Sequence, residues 1–256
     1  MNLVFFDIDG TLAVGKMVPE SAQKALKELR SKDNKVFICT GRNVSYARAN
    51  FHKYADGFIC NNGRLAVMGD ETLFDAPLSR EVMEDIISRL DSIQAGYVFH
   101  TRDKGYYGGI EEGFDFLQIA GDPGYMTKGI DMETIKAYNF DVYFKDMDHR
   151  KQIEDVLDGI CLLNPHGPHP TADMTVIGVD KGDALKHVAS ALGTPIENTY
   201  AFGDGINDLC MLKAAGHGVA MANGRDEVKA AAEYVTTAVT EDGVYNGLKH
   251  YGLIEG

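Results

Sequence analysis

The stretch LVFFDIDGT, Leu3 to Thr11, decides how the chain folds and where its chemistry lies. Four apolar residues in succession fit a strand buried on both faces, as in a parallel sheet, better than one with a wet face. Asp7 and Asp9 then follow, one residue apart. In a strand, side chains two apart share a face, so both carboxylates can approach one place at the strand's end. Gly10 permits a tight turn there, and Thr11 adds a hydroxyl. A turn with a helix cap accounts for Asp-Gly-Thr alone, but with Asp7 in front the full DxDGT pattern is improbable by chance.

The same pattern of an apolar run closed by small polar residues recurs along the chain. KVFIC precedes TGR, GFIC precedes NNG, TYAF precedes GDGIND and GVAM precedes ANG. Amphipathic helical spacing lies between these runs. It follows Pro19 at Ala22, Ala25, Leu26 and Leu29, and recurs at 181–192, 208–215 and 226–233. Alternation of this kind predicts an α/β fold with a doubly wound parallel sheet, whose ligands bind beyond the carboxyl ends of the strands. All the polar clusters would converge there.

From about Leu78 to Ile177 the pattern changes. A helix over 80–93 is followed by YVFHTRDKGYYGG, two aromatic runs around an Asp-Lys-Gly turn. Next come the strand FDVYF, a helix over 148–157, and the runs GICLL and ADMTVIG. Clustered helix and hairpin signals predict an inserted α+β domain at 78–177, leaving 1–77 and 178–256 to build the core together.

At 256 residues, 45% of them hydrophobic, the chain can bury a sizeable core. Its longest apolar runs fall far short of the roughly 20 residues that span a bilayer. Met1 leads straight into a strand with no signal pattern, so a cytoplasmic protein is expected. The net charge of −13 argues against a nucleic-acid or anionic-membrane partner. Any attraction for an anion must then be local. Cys39, Cys60, Cys161 and Cys210 show no ligand spacing and read as buried reduced thiols.

Three clusters could join Asp7 and Asp9. Thr40-Gly41 ends the second strand with a hydroxyl and an unencumbered amide, suited to a phosphate oxygen or to an ordinary turn. Lys181 opens a helix, an unusual place for a cation because helix N-termini already carry positive partial charge; the alternative is a solvated surface lysine. GDGIND sets Asp204 and Asp208 around Asn207 at a strand-to-helix junction. One of the two could cap the helix, but with the first pair they make a hard-cation site plausible.

Together DxDGT, the strand-end Thr40, Lys181 and GDGIND resemble the four motifs of the haloacid dehalogenase-like phosphotransferase superfamily. NNGRL, GDGINDLCML and GVAMANGRDEVKAAAEYVT resemble its Cof-type branch of sugar-phosphate phosphatases. The resemblance covers most of 1–77 and 178–256. Over the insert it is one of position and general pattern, and that branch uses such an insert as a mobile cap.

The resemblance implies a Rossmann-like core and a Mg²⁺-dependent phosphatase of a small phosphorylated metabolite, a sugar phosphate foremost, in a monomer or small homo-oligomer. It makes Asp7 the nucleophile that forms an aspartyl-phosphate, and Asp9 the general acid and base. Asp7, the backbone carbonyl of Asp9 and Asp204 would hold the metal, with Asp208 orienting them. Thr40, Gly41, Lys181 and Asn207, with the Ile8 backbone, would bind the phosphoryl oxygens. Asp9 and Asp204 favour phosphoryl transfer over dehalogenation, which needs neither. The alternatives are a phosphomutase with the same Asp pair and a non-catalytic binding module, which could dispense with Asp9, Lys181 or Asp204. Arg42 could reach a substrate or solvent. Tyr97, Phe99, Tyr106 and Tyr107 read as packing of the insert. His166 and His169 read as part of a rigid Pro-rich connector rather than a metal site.

Overall fold

The structure, a computed structural model, describes residues 1–120 and 124–255. The chain begins with β1 (Leu3–Asp7), α1 (Glu20–Ser31), β2 (Lys35–Cys39), α2 (Val44–Phe51), β3 (Gly57–Cys60), β4 (Leu65–Met68) and β5 (Glu71–Asp75). There follow α3 (Arg80–Ser92), β6 (Gly96–His100), β7 (Gly105–Gly109), α4 (Glu111–Ala120), β8 (Met126–Lys128), β9 (Asn139–Tyr143), α5 (Met147–Val156), β10 (Cys161–Pro165) and β11 (Thr171–Val176). The last third supplies α6 (Lys181–Ala191), β12 (Thr199–Gly203), α7 (Leu209–Ala214), β13 (His217–Ala220), α8 (Asp226–Ala231), β14 (Tyr234–Val235) and α9 (Gly243–His250). Two compact units result: Met1–Arg42 with Tyr46–Asp75 and Val179–Gly256, and Asn43–Ser45 with Ala76–Gly178.

The first unit holds an eight-stranded sheet in the order β14-β13-β12-β1-β2-β3-β4-β5. Its strands run parallel from β14 to β3, as their unbroken apolar runs predict. β4 and β5 join antiparallel at one edge; β4 is the apolar run LAVM, whereas β5 is not evident from hydrophobic runs. The reason is local: β5 is a half-exposed edge strand of mixed polarity, and the β4–β5 turn rests on Gly69, whose φ is +56°.

Side-chain alternation along β1 decides what each helix layer meets. Leu3 and Phe5 face Ala184, Leu185 and Val188 of α6 and Met211 of α7. Asp7 continues that parity and therefore comes up on the side of α6. Phe6 has the opposite parity and stacks on Phe202 of β12 with ring centroids 4.7 Å apart. Gly247 of α9 lets that helix close over Phe202, because a Cβ there would come within 2.4 Å of the ring. α1 buries Ala22, Ala25, Leu26 and Leu29, the spacing read from the sequence.

The second unit carries a six-stranded sheet, β10-β11-β9-β6-β7-β8, antiparallel except for the β7–β8 pair. α3 and α5 cover one face, where Met83, Ile86, Leu90 and Ile153 pack on Phe99, Phe140, Val142 and Met174. Their N-termini are capped by Ser79 and Asp146. Tyr97, Phe99 and Tyr107 are buried within the unit and Tyr106 is half-buried. His166 Nδ1 pairs with Thr171 Oγ1 at 3.0 Å, and its carbonyl accepts from the His169 N–H at 3.2 Å, closing a tight connector between β10 and β11.

Of the four cysteines, Cys39 and Cys60 are buried, whereas Cys161 and Cys210 are half-buried. Among the described residues no helix is long and apolar enough to cross a membrane. Because Phe202 is fully buried against Phe6 and α9, Phe202→Ala is expected to cost about 3–5 kcal/mol in urea denaturation. A loss below about 1 kcal/mol would show that this layer can collapse to fill the space.

Candidate active site

Asp7 is the last residue of β1 and is nearly buried. Lys181 Nζ donates to its Oδ1 at 2.6 Å and to Asp208 Oδ1 at 2.7 Å. Lys181 is only 1% exposed, which rules out a solvated surface lysine. Its place at a helix start also has a physical explanation. The Asp180 carboxylate caps α6, accepting from the Gly182 N–H at 2.8 Å and the Asp183 N–H at 3.0 Å, so a negative group already answers the helix terminus.

Asp208 has no exposure and is engaged through both oxygens. Besides Lys181 on Oδ1, its Oδ2 accepts from the Asp204 N–H at 3.1 Å and the Gly205 N–H at 3.0 Å. It thus fixes the loop that carries Asp204. Gly203 is required beneath it, because a Cβ there would come 2.5 Å from Asp208 Cβ.

Asp204 is held from the other side by the first motif. Thr11 Oγ1 donates to Asp204 Oδ1 at 2.8 Å. Gly10 has φ +83°, and a Cβ on it would meet Asp204 Oδ2 at 2.4 Å. Asn223 Nδ2 donates to the Gly10 carbonyl at 2.8 Å, while its Oδ1 accepts from the Val239 N–H at 2.8 Å. Thr11 and Asn223 are thus site-building residues that the motifs alone do not assign. Thr11 is legible as a hydroxyl beside two carboxylates, but Asn223 looks like an ordinary turn residue in ANG.

Asp9 does not follow the strand geometry expected for it. β1 stops at Asp7, and Thr11, Leu12 and Ala13 donate their N–H groups to the Ile8 carbonyl at 3.3, 3.0 and 2.8 Å, coiling the chain into a turn. Asp9 lies exposed on that turn, beyond the reach of strand alternation. Ile8 buries its side chain, so only its backbone is available to a ligand.

Thr40 is buried at the end of β2, its Oγ1 accepting from the Arg42 N–H at 3.1 Å, with Gly41 between them. Asn207 is exposed at the start of the turn leading into α7. Arg42 sits over the Tyr46 ring at 5.3 Å.

Asp7, Asp204 and Asp208 each offer an oxygen, and these atoms lie within 4.8 Å of one another. Burial, and then Asp208, push the Asp7 carboxyl up to about 8 against the pull of Lys181. Burial likewise raises Asp204, with Asp208 and Asp9 adding to it. Burial pulls Lys181 down, but Asp208 and Asp7 outweigh it and hold the amine well above the ordinary lysine value. Three carboxylates around one amine leave a negative, oxygen-only donor set, which fits a hard divalent cation such as Mg²⁺.

A chain with this core, insert and acidic centre belongs to the haloacid dehalogenase-like hydrolases, whose family model matches residues 4–248. It is an enzyme, a phosphoric monoester hydrolase, and its resemblance within the family is to the Cof-type branch. One similar protein is the 5-amino-6-(5-phospho-D-ribitylamino)uracil phosphatase YcsE of Bacillus subtilis, 29% identical over 99% of this chain and 96% of that one. Among solved structures, the phosphatase BT1666 of Bacteroides thetaiotaomicron matches with a TM-score of 0.83 at 26% identity, over 99% of this chain and 96% of the other. The subclass IIB sugar phosphatase BT4131 matches at 0.81 and 26%, over 99% and 100%.

The raised Asp7 gives stability a pH dependence of definite sign. Its folded value of about 8 lies above the ordinary 3.8, so the protonated native form is favoured; that contribution is full below about pH 4 and lost as pH rises through about 8. A cation that prefers ionised Asp7 works in the opposite direction. Added Mg²⁺ is therefore expected to raise the urea midpoint more at pH 8 than at pH 5, and an equal increment at both would contradict this account.

Proposed function

We propose that the chain is a Mg²⁺-dependent phosphatase of small phosphorylated metabolites, sugar phosphates foremost, acting through an aspartyl-phosphate on Asp7. The observation that carries this reading is the buried array in which Lys181 bridges Asp7 and Asp208 while Thr11 and Asp208 fix Asp204 beside them.

In the first step an Asp7 carboxylate oxygen forms a bond to phosphorus as the bond to the leaving oxygen breaks, and Asp9 delivers a proton to that oxygen. In the second step Asp9 takes a proton from water, the water oxygen bonds to phosphorus, and the acyl-phosphate bond breaks to return Asp7 and release phosphate. The exposed turn position of Asp9 suits traffic in protons with substrate and water. Lys181, the Thr40 hydroxyl, the Gly41 amide, Asn207 and the Ile8 backbone are assigned to the phosphoryl oxygens. Bound by the Asp7 and Asp204 carboxylates and the Asp9 carbonyl, and oriented through Asp208, Mg²⁺ would supply neutralising charge and Lewis acidity. With the cation bound, a local pocket of this kind would let a protein of net charge −13 take an anionic substrate.

The insert, 78–177 by its sequence pattern, is assigned the role of a cap that selects the leaving group. Its own sheet supports a polyhydroxylated one. Asn139, Asp141 and Asp173 lie on the face opposite Phe140, Val142 and Met174. Asn139 Nδ2 donates to Asp173 Oδ1 at 3.2 Å, His100 Nε2 lies 3.3 Å from Asp141, and His100 Nδ1 lies 2.7 Å from the Tyr125 hydroxyl. The sugar phosphatase BT4131 among the similar structures points the same way.

The wild-type protein is expected to release phosphate from an aryl phosphate only with added Mg²⁺. Asp7→Asn should lose at least about 1,000-fold in kcat while remaining folded, and Asp9→Asn about 100- to 10,000-fold. Undiminished turnover in Asp7→Asn or in EDTA would overturn the mechanism. Interconversion of sugar phosphates without phosphate release would mark a mutase instead.

A further inference from the structure

Between β3 and β4 the backbone adopts an unfavourable course. Asn61, Asn62 and Gly63 have consecutive positive φ values of 53°, 54° and 97°. This left-handed region is one that residues with a Cβ seldom enter, asparagine less reluctantly than most. All three are buried, and Asn61 has no exposure at all. Neither the oxygen nor the nitrogen of the Asn61 carboxamide has a hydrogen-bond partner among the described residues. Strain and buried unpaired polar atoms persist together only where the surroundings over-determine them, and they gather at functional sites.

The surroundings here are the two segments that carry the candidate phosphate ligands. The Asn62 N–H donates to the Thr40 carbonyl at 3.2 Å and the Asn61 N–H to the Arg42 carbonyl at 3.0 Å, so the turn grips the loop on either side of Gly41. A Cβ on Gly41 would lie 2.8 Å from Asn62 Oδ1. On its other side Gly63 abuts the peptide joining Asp180 to Lys181. A Cβ there would come 2.2 Å from the Asp180 carbonyl carbon and oxygen and 2.5 Å from the Lys181 nitrogen.

We propose that the Asn61–Asn62–Gly63 turn is a positioning element that sets the Thr40–Gly41 loop and Lys181 at the spacing phosphoryl transfer requires. The assignment of those groups to phosphoryl oxygens rests on the phosphatase reading above. The turn itself touches no reacting atom. Its left-handed course aims two amides at the loop after β2 and presents a bare Cα to the start of α6. A side chain at position 63 must displace the Asp180–Lys181 peptide. Because Lys181 Nζ holds Asp7 at 2.6 Å, that displacement is passed to the nucleophile's own partner.

The test compares Gly63→Ala with Gly193→Ala. Gly193 follows the other end of α6 with φ +63°, and a Cβ added to it would meet nothing within 4 Å, so its substitution imposes left-handed strain without pressing on Lys181. The readouts are kcat and KM for an aryl phosphate, the thermal midpoint, and amide hydrogen exchange over 40–42 and 181–183. Gly63→Ala is expected to lose about 10- to 100-fold in kcat, with faster exchange in both segments. Gly193→Ala should keep wild-type turnover and exchange there despite a lower melting temperature. Asn61→Gly, which keeps the left-handed backbone, should retain activity that Asn61→Val loses. The proposal fails if Gly63→Ala works like the wild type, if Gly193→Ala loses as much, or if exchange in the two segments stays unchanged. A wild-type protein that releases no phosphate defeats the phosphatase reading alone, and the exchange comparison still decides the role of the turn.

Discussion

A single buried ammonium group, Lys181 Nζ between Asp7 and Asp208, is the constraint on which the first unit depends. Removing a charge from water is costly, and a buried pair recovers that cost only with close geometry and further hydrogen bonds. Asp208 meets both conditions, with a 2.7 Å contact and a second oxygen engaged by two backbone amides, whereas the 2.6 Å contact to Asp7 does not offset that carboxyl's burial. Each partner comes from a different element, the end of β1, the start of α6 and the entrance to α7. Side-chain parity on β1, the Asp180 cap and the bare Gly203 all serve to bring those three ends to one point. The arrangement still leaves excess negative charge, which suits a site that functions with a cation.

Much of this is readable in the sequence. Unbroken apolar runs locate the parallel strands, because burial on both faces leaves a continuous signature. The five polar clusters at their ends locate the site, because in a parallel sheet those ends lie together. Lys181 is the least determined of these residues, since its burial follows only from packing.

Where sequence reasoning runs short, tertiary contacts are responsible. β5 carries no unbroken apolar run, since an edge strand is half wet. Asp9 departs from strand alternation because three amides converge on the Ile8 carbonyl and end the strand early. Asn223 lies far along the chain from Gly10, and its hydrogen bond to that residue exists only once β13 lies beyond β12 in the sheet. Asn61–Gly63 reads as a plain turn, since nothing local shows that its backbone will be buried against two other segments.

The order of strands also has a consequence for synthesis. β1 pairs with β2 on one side and with β12 on the other, Leu3 lying opposite Thr199. A nascent chain therefore presents one open edge of its first strand, with Asp7 unaccompanied, until the last third has been made. No chain that stops short of α6 possesses the amine that partners Asp7, so the acidic centre is completed late. In the meantime the unpaired backbone edge of the apolar strand β1 is one that the growing chain must keep from pairing with anything else.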